Sequence, residues 1–122
     1  MADPDSSIGF LVGDVARLLR RNFNRRAQAL GLSQAQWRAL AYLSRQQGVS
    51  QASLADRLEI QPITLVRLLD HLQAAGLVTR RADPHDRRAF RLYLTDKAQP
   101  LLARMWSIAA QTREQALAGM PI

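Results

Sequence analysis

Residues 82–95 read Ala-Asp-Pro-His-Asp-Arg-Arg-Ala-Phe-Arg-Leu-Tyr-Leu-Thr. Asp83-Pro84 is turn chemistry. The run that follows alternates, with Phe90, Leu92 and Leu94 set against Arg91 and Tyr93, as in a half-buried strand. "LVTRR" at 77–81 reads as a strand as well, so residues 77–94 predict a hairpin. Two adjacent arginines, Arg87 and Arg88, sit on the loop between its strands. Arg80, Arg81 and Arg91 lie close by, opposed only by Asp83 and Asp86.

The segment just before this hairpin supplies its context. Ser50 can cap a helix whose apolar positions are Leu54, Ala55 and Leu58, and "GVS" at 48–50 reads as a short extended link into it. After a break at Glu59–Gln61, Pro62 opens another helix at a position where its missing N–H does no harm. That helix runs to Gly76, a C-terminal stop. Ile63, Val66 and Leu69 are expected to face the core. Two short helices joined by a tight turn form a helix-turn-helix pattern, and the hairpin is its wing.

Longer helices flank this unit. From about Phe10 to Leu30, apolar residues recur at helical spacing (Leu11, Val15, Leu18, Leu19, Phe23, Ala27), and Gly31 is a stop. Arg17, Arg20, Arg21, Arg25 and Arg26 cover the rest of that helix, a pattern equally suited to a solvated face. Ser33 with Gln36 forms a capping box for a second helix carrying Trp37, Leu40, Ala41 and Leu43. Thr95 is expected to cap a last helix with a broad apolar stripe from Leu101 to Ala109, and Pro100 falls in its first turns. The expected fold is mainly α with a small β-hairpin: one domain over 1–122, a winged helix-turn-helix lobe over 33–95 with its wing at 77–94, flanked by helices at 8–31 and 96–120.

With 122 residues and a hydrophobic fraction of 48 %, the chain suits one globular core. No apolar run approaches the length of a membrane span, and residues 1–7 lack the basic and apolar regions of a secretory signal. The absence of cysteine excludes disulfides, thiolate metal sites and cysteine redox sensing. A cytoplasmic location is expected. Net charge is +7, from 17 Lys+Arg against 10 Asp+Glu, which favours a polyanionic partner. Lys97 is the sole lysine, so a genome rich in arginine codons accounts for the excess equally well. Residue placement has to decide between the two.

An α-helix fits the major groove of B-DNA, and its N-terminal side chains reach base edges. Gln61, Thr64 and Arg67 occupy the early turns of the helix opened by Pro62, with Thr64 and Arg67 on one face. A bidentate contact from Arg67 to guanine is worth roughly 1–3 kcal/mol of discrimination. A hairpin tip is narrow enough for the minor groove, whose negative potential draws arginine. Asp86 then has two readings: a brace that orients Arg88 through a charge-assisted hydrogen bond, or a turn residue bonded to its own backbone. No enzyme is expected. There is no Gly-rich phosphate loop and no zinc-protease motif, and His71 and His85 stand far apart in sequence. No catalytic residue, metal site or cofactor is assigned.

"DPHDRRAFRLYLT" resembles the wing signature of the MarR/SlyA family of bacterial winged-helix regulators, in Asp86, Arg88, Leu94 and Thr95. "SLADRL", "LVRLLDHLQAAGLVTRR", "LTDKAQPLL" and "TREQALAGM" resemble the neighbouring family segments, so the likeness runs from about Leu11 to Met120. It implies a homodimer on double-stranded DNA, with a recognition helix in the major groove and a wing in the minor groove of each half-site. By that resemblance Thr64 and Arg67 are base- or phosphate-contacting positions of the recognition helix, Arg88 is the wing-tip arginine with Asp86 as its brace, and Arg87 is a phosphate candidate. Ser50, Gln51 and Ser53 are expected to donate to the DNA backbone from the start of the preceding helix, and Gln61 and Arg81 complete the expected DNA-binding set by their place on the helix and the wing. It also implies an effector, a small aromatic carboxylate, and Trp37 with Arg17 or Arg20 matches such a pocket. Trp37 in the core and solvated arginines is the plainer alternative.

The chain departs from the family at Ala98, where a glycine is usual. Family members also generally continue beyond the position of Ile122 into a helix that interlocks with the partner's first helix. If the protein ends at Ile122 the expected interface is reduced, and if this sequence is part of a longer chain nothing follows from its end; in either case the stripes of the first and last helices are expected to pair. The expected activity is regulation of transcription, as a repressor, at a pseudo-palindromic operator. Two rivals stand beside it. A winged-helix protein-interaction module would lose Arg67 and Arg88 or expose apolar residues there. A non-specific DNA-coating protein would bind with strong salt dependence and no sequence preference.

Overall fold

The computed structural model describes residues 7–86 and 88–118. Its elements are α1 (Ile8–Ala27), α2 (Gln34–Arg45), β1 (Val49–Ser50), α3 (Gln51–Leu58), α4 (Pro62–Ala74), β2 (Val78–Ala82), β3 (Phe90–Leu94) and α5 (Ala98–Ala118). Local chemistry sets most of their ends. The Ser33 hydroxyl accepts the Gln36 N–H at 3.2 Å while the Gln36 side chain takes the Ser33 N–H at 2.9 Å, a complete capping box. The Ser50 hydroxyl accepts the Ser53 N–H at 3.1 Å and starts α3. Pro62 is the first residue of α4.

Two junctions differ from the sequence reading. α1 tightens into a 3-10 turn over Gln28–Leu30, and Gly31 (φ 73°) ends that turn rather than the α-helix. The break expected at Glu59–Gln61 is present, with Glu59, a non-glycine residue at φ 56°, closing α3. Thr95 does not cap α5. Its hydroxyl donates to the Gly76 carbonyl, tying the end of the wing to the end of α4, and α5 begins at Ala98.

The wing has a third strand. The two residues of β1 pair antiparallel with β3, Val49 opposite Leu92 and Ser50 opposite Arg91, so the sheet order is β1-β3-β2. Between β2 and β3, Arg80 lies opposite Leu92, and Arg81 opposite Arg91. Opposite residues share a face. Arg80 therefore stands on the core side with the fully buried Leu92, while Arg81, Arg91 and Tyr93 stand on the outer side.

The core gathers Leu40 and Leu43 of α2, Leu54 of α3, Leu65, Leu69 and Leu72 of α4, Val78 and Leu92 of the wing, and Met105 of α5. α4 meets it along Leu65, Leu68, Leu69 and Leu72, an i, i+3, i+4, i+7 stripe. Ile63, expected inside, is 62 % exposed. The buried stripe is the leucine row, and Ile63 falls outside it on the side of the exposed Arg67. α1 and α5 lie against each other, with Arg26 of α1 donating to the buried Thr112 at 3.3 Å and also to Gln115. Among the described residues no helix is long and apolar enough to cross a membrane.

Candidate nucleic-acid interface

The helix-turn-helix brings the beginnings of α3 and α4 to one side of the lobe, and the wing tip folds toward them. Ser50, Gln51 and Pro62 share a cleft of about 290 Å³ with Arg88 and Ala89 of the wing. Residues distant in sequence thus form one surface. Ser50 is occupied as the α3 cap, while the Ser53 side chain is exposed. Gln51 holds its Oε1 buried with no hydrogen-bond partner among the described residues. Gln61 precedes α4 as its N-cap residue without a side-chain capping bond, which leaves its amide available. Thr64 and Arg67 project from α4 into solvent, and the exposed Ile63 stands beside them.

The wing arginines divide into two groups. Arg80 reaches back to Asp70 of α4 in an ion pair, its Nε buried. Arg91 is held by Asp83 at 3.0 Å and by the Gly48 carbonyl at 2.8 Å. Both are committed inside the protein. Arg81 lies over the Tyr93 ring, 4.5 Å from its centroid, a cation–π contact that stiffens the side chain while leaving it exposed. Arg88 is exposed, and among the described residues neither it nor Arg67 joins an ion pair. Arg87 lies outside the described residues.

The Asp86 carboxylate accepts the main-chain N–H of Arg88 at 3.0 Å, the turn arrangement, and does not meet its guanidinium. Asp83 makes the same kind of bond to the His85 N–H at 2.8 Å. That bond lowers the Asp83 carboxyl below its ordinary value; Arg91 lowers it further, against an opposing cost from partial burial. Two Asx turns in succession therefore shape the loop between the strands.

A second candidate site lies between the α1–α5 pair and α2. A groove of about 560 Å³ there is lined by Arg20, Phe23, Trp37, Trp106 and Arg113. It adjoins a smaller one of about 270 Å³ that shares Arg20, Trp37 and Trp106 and adds Arg38 and Arg45. Trp37 stacks on Phe23 with ring centroids 4.0 Å apart, and its Nε1 is buried with no partner among the described residues. Arg20 and Trp37 come together as the sequence reading placed them. Arg17 does not line either groove; it pairs with Asp14 at 3.5 Å. Trp106, Arg38 and Arg45 escaped the sequence reading, because only the packing of α2 against α5 assembles them with Trp37.

This arrangement defines a winged helix-turn-helix protein, its lobe mounted on a pair of long helices. A family model described as the MarR family matches residues 30–89. Among solved structures, the transcriptional regulator PA3341 is 40 % identical over 94 % of this chain and 85 % of its own, with a TM-score of 0.81. A MarR-family regulator from Silicibacter pomeroyi is 32 % identical over 98 % of this chain and 80 % of its own, at 0.84. A MarR transcriptional regulator from Methanosarcina mazei Go1 is 30 % identical over 94 % and 83 %, at 0.81. The chain belongs to the MarR family of transcriptional regulators.

Proposed function

We propose that the protein is a cytoplasmic, sequence-specific regulator that binds double-stranded DNA as a homodimer and represses transcription from a pseudo-palindromic operator. The observation that carries this reading is that, among the described residues, Arg67 on the exposed face of α4 and Arg88 at the wing tip join no ion pair, when two other wing arginines are consumed internally. α4 would read the major groove through Gln61, Thr64 and Arg67, and Arg88 would enter the minor groove. Ser50, Gln51, Ser53, Arg81 and Arg87 would serve phosphates, with Asp86 holding the wing turn. Half-sites would lie about one helical turn apart, roughly 34–36 Å.

The dimer reading rests on apolar residues left open on the long helices. Ile8, Phe10 and Val12 of α1 and Leu117 of α5 are each more than half exposed. The 8–31 and 96–120 helices would bury them against a second copy. The groove at Trp37 would take a small aromatic carboxylate. Its carboxylate would pair with Arg20, and its ring would lie among Phe23, Trp37 and Trp106. Occupancy there, between the long helices and the lobe, would shift the spacing of the recognition helices and release DNA.

Ile63 favours a second reading. An apolar side chain exposed beside Arg67 is what a winged-helix protein-interaction module would present. It suits a thymine methyl group equally well, and the free arginines turn the balance toward DNA. Fluorescence anisotropy on DNA from the gene's own upstream region, against a scrambled duplex at physiological salt, separates the readings. A specific regulator favours the first by at least ~10³-fold. Equal affinity for both indicates a non-specific binder or a target elsewhere in the genome. No binding to either, with capture of a protein partner lost in an Ile63→Ser variant, establishes the interaction module.

A further inference from the structure

Beyond the short pairing of β1 with Leu92 and Arg91 the wing is a two-stranded ribbon, marginal by itself, and it carries a seven-residue loop, 83–89, at its end. Something must hold that loop if Arg88 is to meet DNA at a fixed place. The outer face of the sheet supplies the anchor. Arg91 of β3 donates from Nε to the Asp83 carboxylate at 3.0 Å and from Nη1 to the Gly48 carbonyl at 2.8 Å. One guanidinium therefore joins the root of the wing loop to the link between α2 and α3.

Both partners are built for this. Gly48 sits at φ 83°, and an added Cβ would come within 3.2 Å of the Tyr93 hydroxyl, so the position demands glycine. Its N–H donates to the Leu92 carbonyl at 2.8 Å while its own carbonyl receives Arg91. Asp83 is 11 % exposed at its side chain, and both oxygens are engaged, one by the His85 N–H and one by Arg91. Its N–H closes the loop on the Ala89 carbonyl at 3.0 Å. The loop that presents Arg88 thus hangs from Asp83, and Asp83 hangs from Arg91.

We infer that Arg91 and Asp83 are positioning residues for DNA binding: the ion pair fixes the wing against Gly48 so that Arg88 engages the duplex, and Arg91 itself makes no DNA contact. This rests on the DNA-binding reading above. It carries a consequence opposite in sign to simple electrostatics. Removing a carboxylate from a DNA-facing surface should strengthen binding to phosphate; here removing it releases the wing and weakens binding.

The test uses the full chain and a duplex selected by the unaltered protein from a random-sequence pool. Asp83→Asn keeps an acceptor for the His85 N–H but removes the charge that holds Arg91. It is expected to weaken binding about tenfold, within the loss expected for the Arg88 contact that it supports. The salt dependence of log K should fall by about 0.9, as if one phosphate contact had been lost, although no cation was removed. Asp83→Asn combined with Arg88→Ala should lose less than the sum of the two single losses, because the clamp acts chiefly through Arg88. Amide hydrogen exchange, read without DNA, should rise across 83–91 in Asp83→Asn and stay unchanged in α4. Equal or tighter binding by Asp83→Asn, full additivity with Arg88→Ala, or unchanged exchange in the wing overturns the inference. If the unaltered protein selects no duplex, the DNA-binding reading fails and the inference with it. Normal selection with an unaffected Asp83→Asn variant overturns the inference alone.

Discussion

The Asp86 carboxylate holds the main-chain N–H of Arg88 at 3.0 Å and leaves the guanidinium free. The acidic residue in the wing is therefore a backbone device. Its charge is partly satisfied by the amide, so it repels phosphate less than an unbonded carboxylate would, and it sets the turn from which Arg88 projects.

That relationship separates two variants. Arg88→Ala removes an exposed cation and is expected to weaken operator binding by roughly 1–3 kcal/mol, with the thermal midpoint nearly unchanged. Asp86→Ala leaves every arginine in place yet opens the turn, so it should weaken binding as well. Asp86→Asn retains an acceptor and should stay close to the unaltered protein. Anisotropy titrations alongside thermal melts check all three. Tighter binding by Asp86→Ala would show that charge, not turn geometry, governs the site.

Arg67 is exposed on α4. Arg67→Ala should cost roughly 1–3 kcal/mol on the preferred duplex and relax the preference at one base position. A uniform loss across all duplexes would instead make Arg67 a phosphate contact. Competition with single-position operator variants distinguishes the two outcomes.

The two neighbouring faces of α4 predict opposite stability effects. Leu69 is fully buried among the core leucines, and Leu69→Ala should destabilise by about 2–5 kcal/mol. Ile63 is 62 % exposed, and Ile63→Ser should fall within about 0.5 kcal/mol of the unaltered protein. Chemical denaturation of both variants measures the contrast.

Asp83 links stability to acidity. Its carboxyl lies below the ordinary value of 3.8 in the folded state, through the His85 N–H first and Arg91 with it. The folded protein thus binds that proton less readily than the unfolded chain does. The stability contributed is present above the unfolded value and is lost as pH falls through the folded one. The thermal midpoints of the unaltered protein and Asp83→Asn should be furthest apart near neutral pH and converge once pH drops below about 3.8. Melts from neutral pH down through that value test this, and a constant offset across the range would contradict it.

The groove at Trp37 predicts a spectroscopic response. Binding of a benzoate-type acid should change the fluorescence of Trp37 and Trp106, which line the same groove. Arg20→Ala should raise the dissociation constant about tenfold or more, the cost of losing a charge-assisted partner. Arg17→Ala, altering a residue paired with Asp14 outside the groove, should leave it unchanged. The same titration on a DNA complex shows whether occupancy releases the duplex.

Much of this molecule follows from chemistry local in sequence. Ser33, Ser50 and Pro62 begin helices through groups within three residues of themselves, Gly76 ends one, and the alternation of Phe90 to Leu94 marks a strand. Such features act over a few bonds, so the order of a winged helix-turn-helix is legible in the amino-acid sequence alone. The residues of the candidate interface are legible there by type and spacing, but their availability is not. Arg80 and Arg91 look like Arg81 and Arg88 in the sequence. They differ because Asp70 and the Gly48 carbonyl come within reach only when α4 and the α2–α3 link pack beside the wing.

The same physics explains the other differences. β1 is two residues long and exists only because β3 offers its edge. α4 is apolar at Ile63 and Val66 as well as along Leu65, Leu68, Leu69 and Leu72, so a reading by spacing from Ile63 draws in a residue from beside the leucine stripe. Packing against α2 and α3 selects Leu65, Leu68, Leu69 and Leu72. Arg20 rather than Arg17 joins Trp37 because of how α1 is turned against α2 and α5. Caps, turns and strand alternation are short-range and were set by the sequence alone. Ion-pair partners, the exposure of Ile63 beside the buried leucine row of α4 and the walls of a groove depend on segments far apart in the chain, and only the tertiary structure decided them.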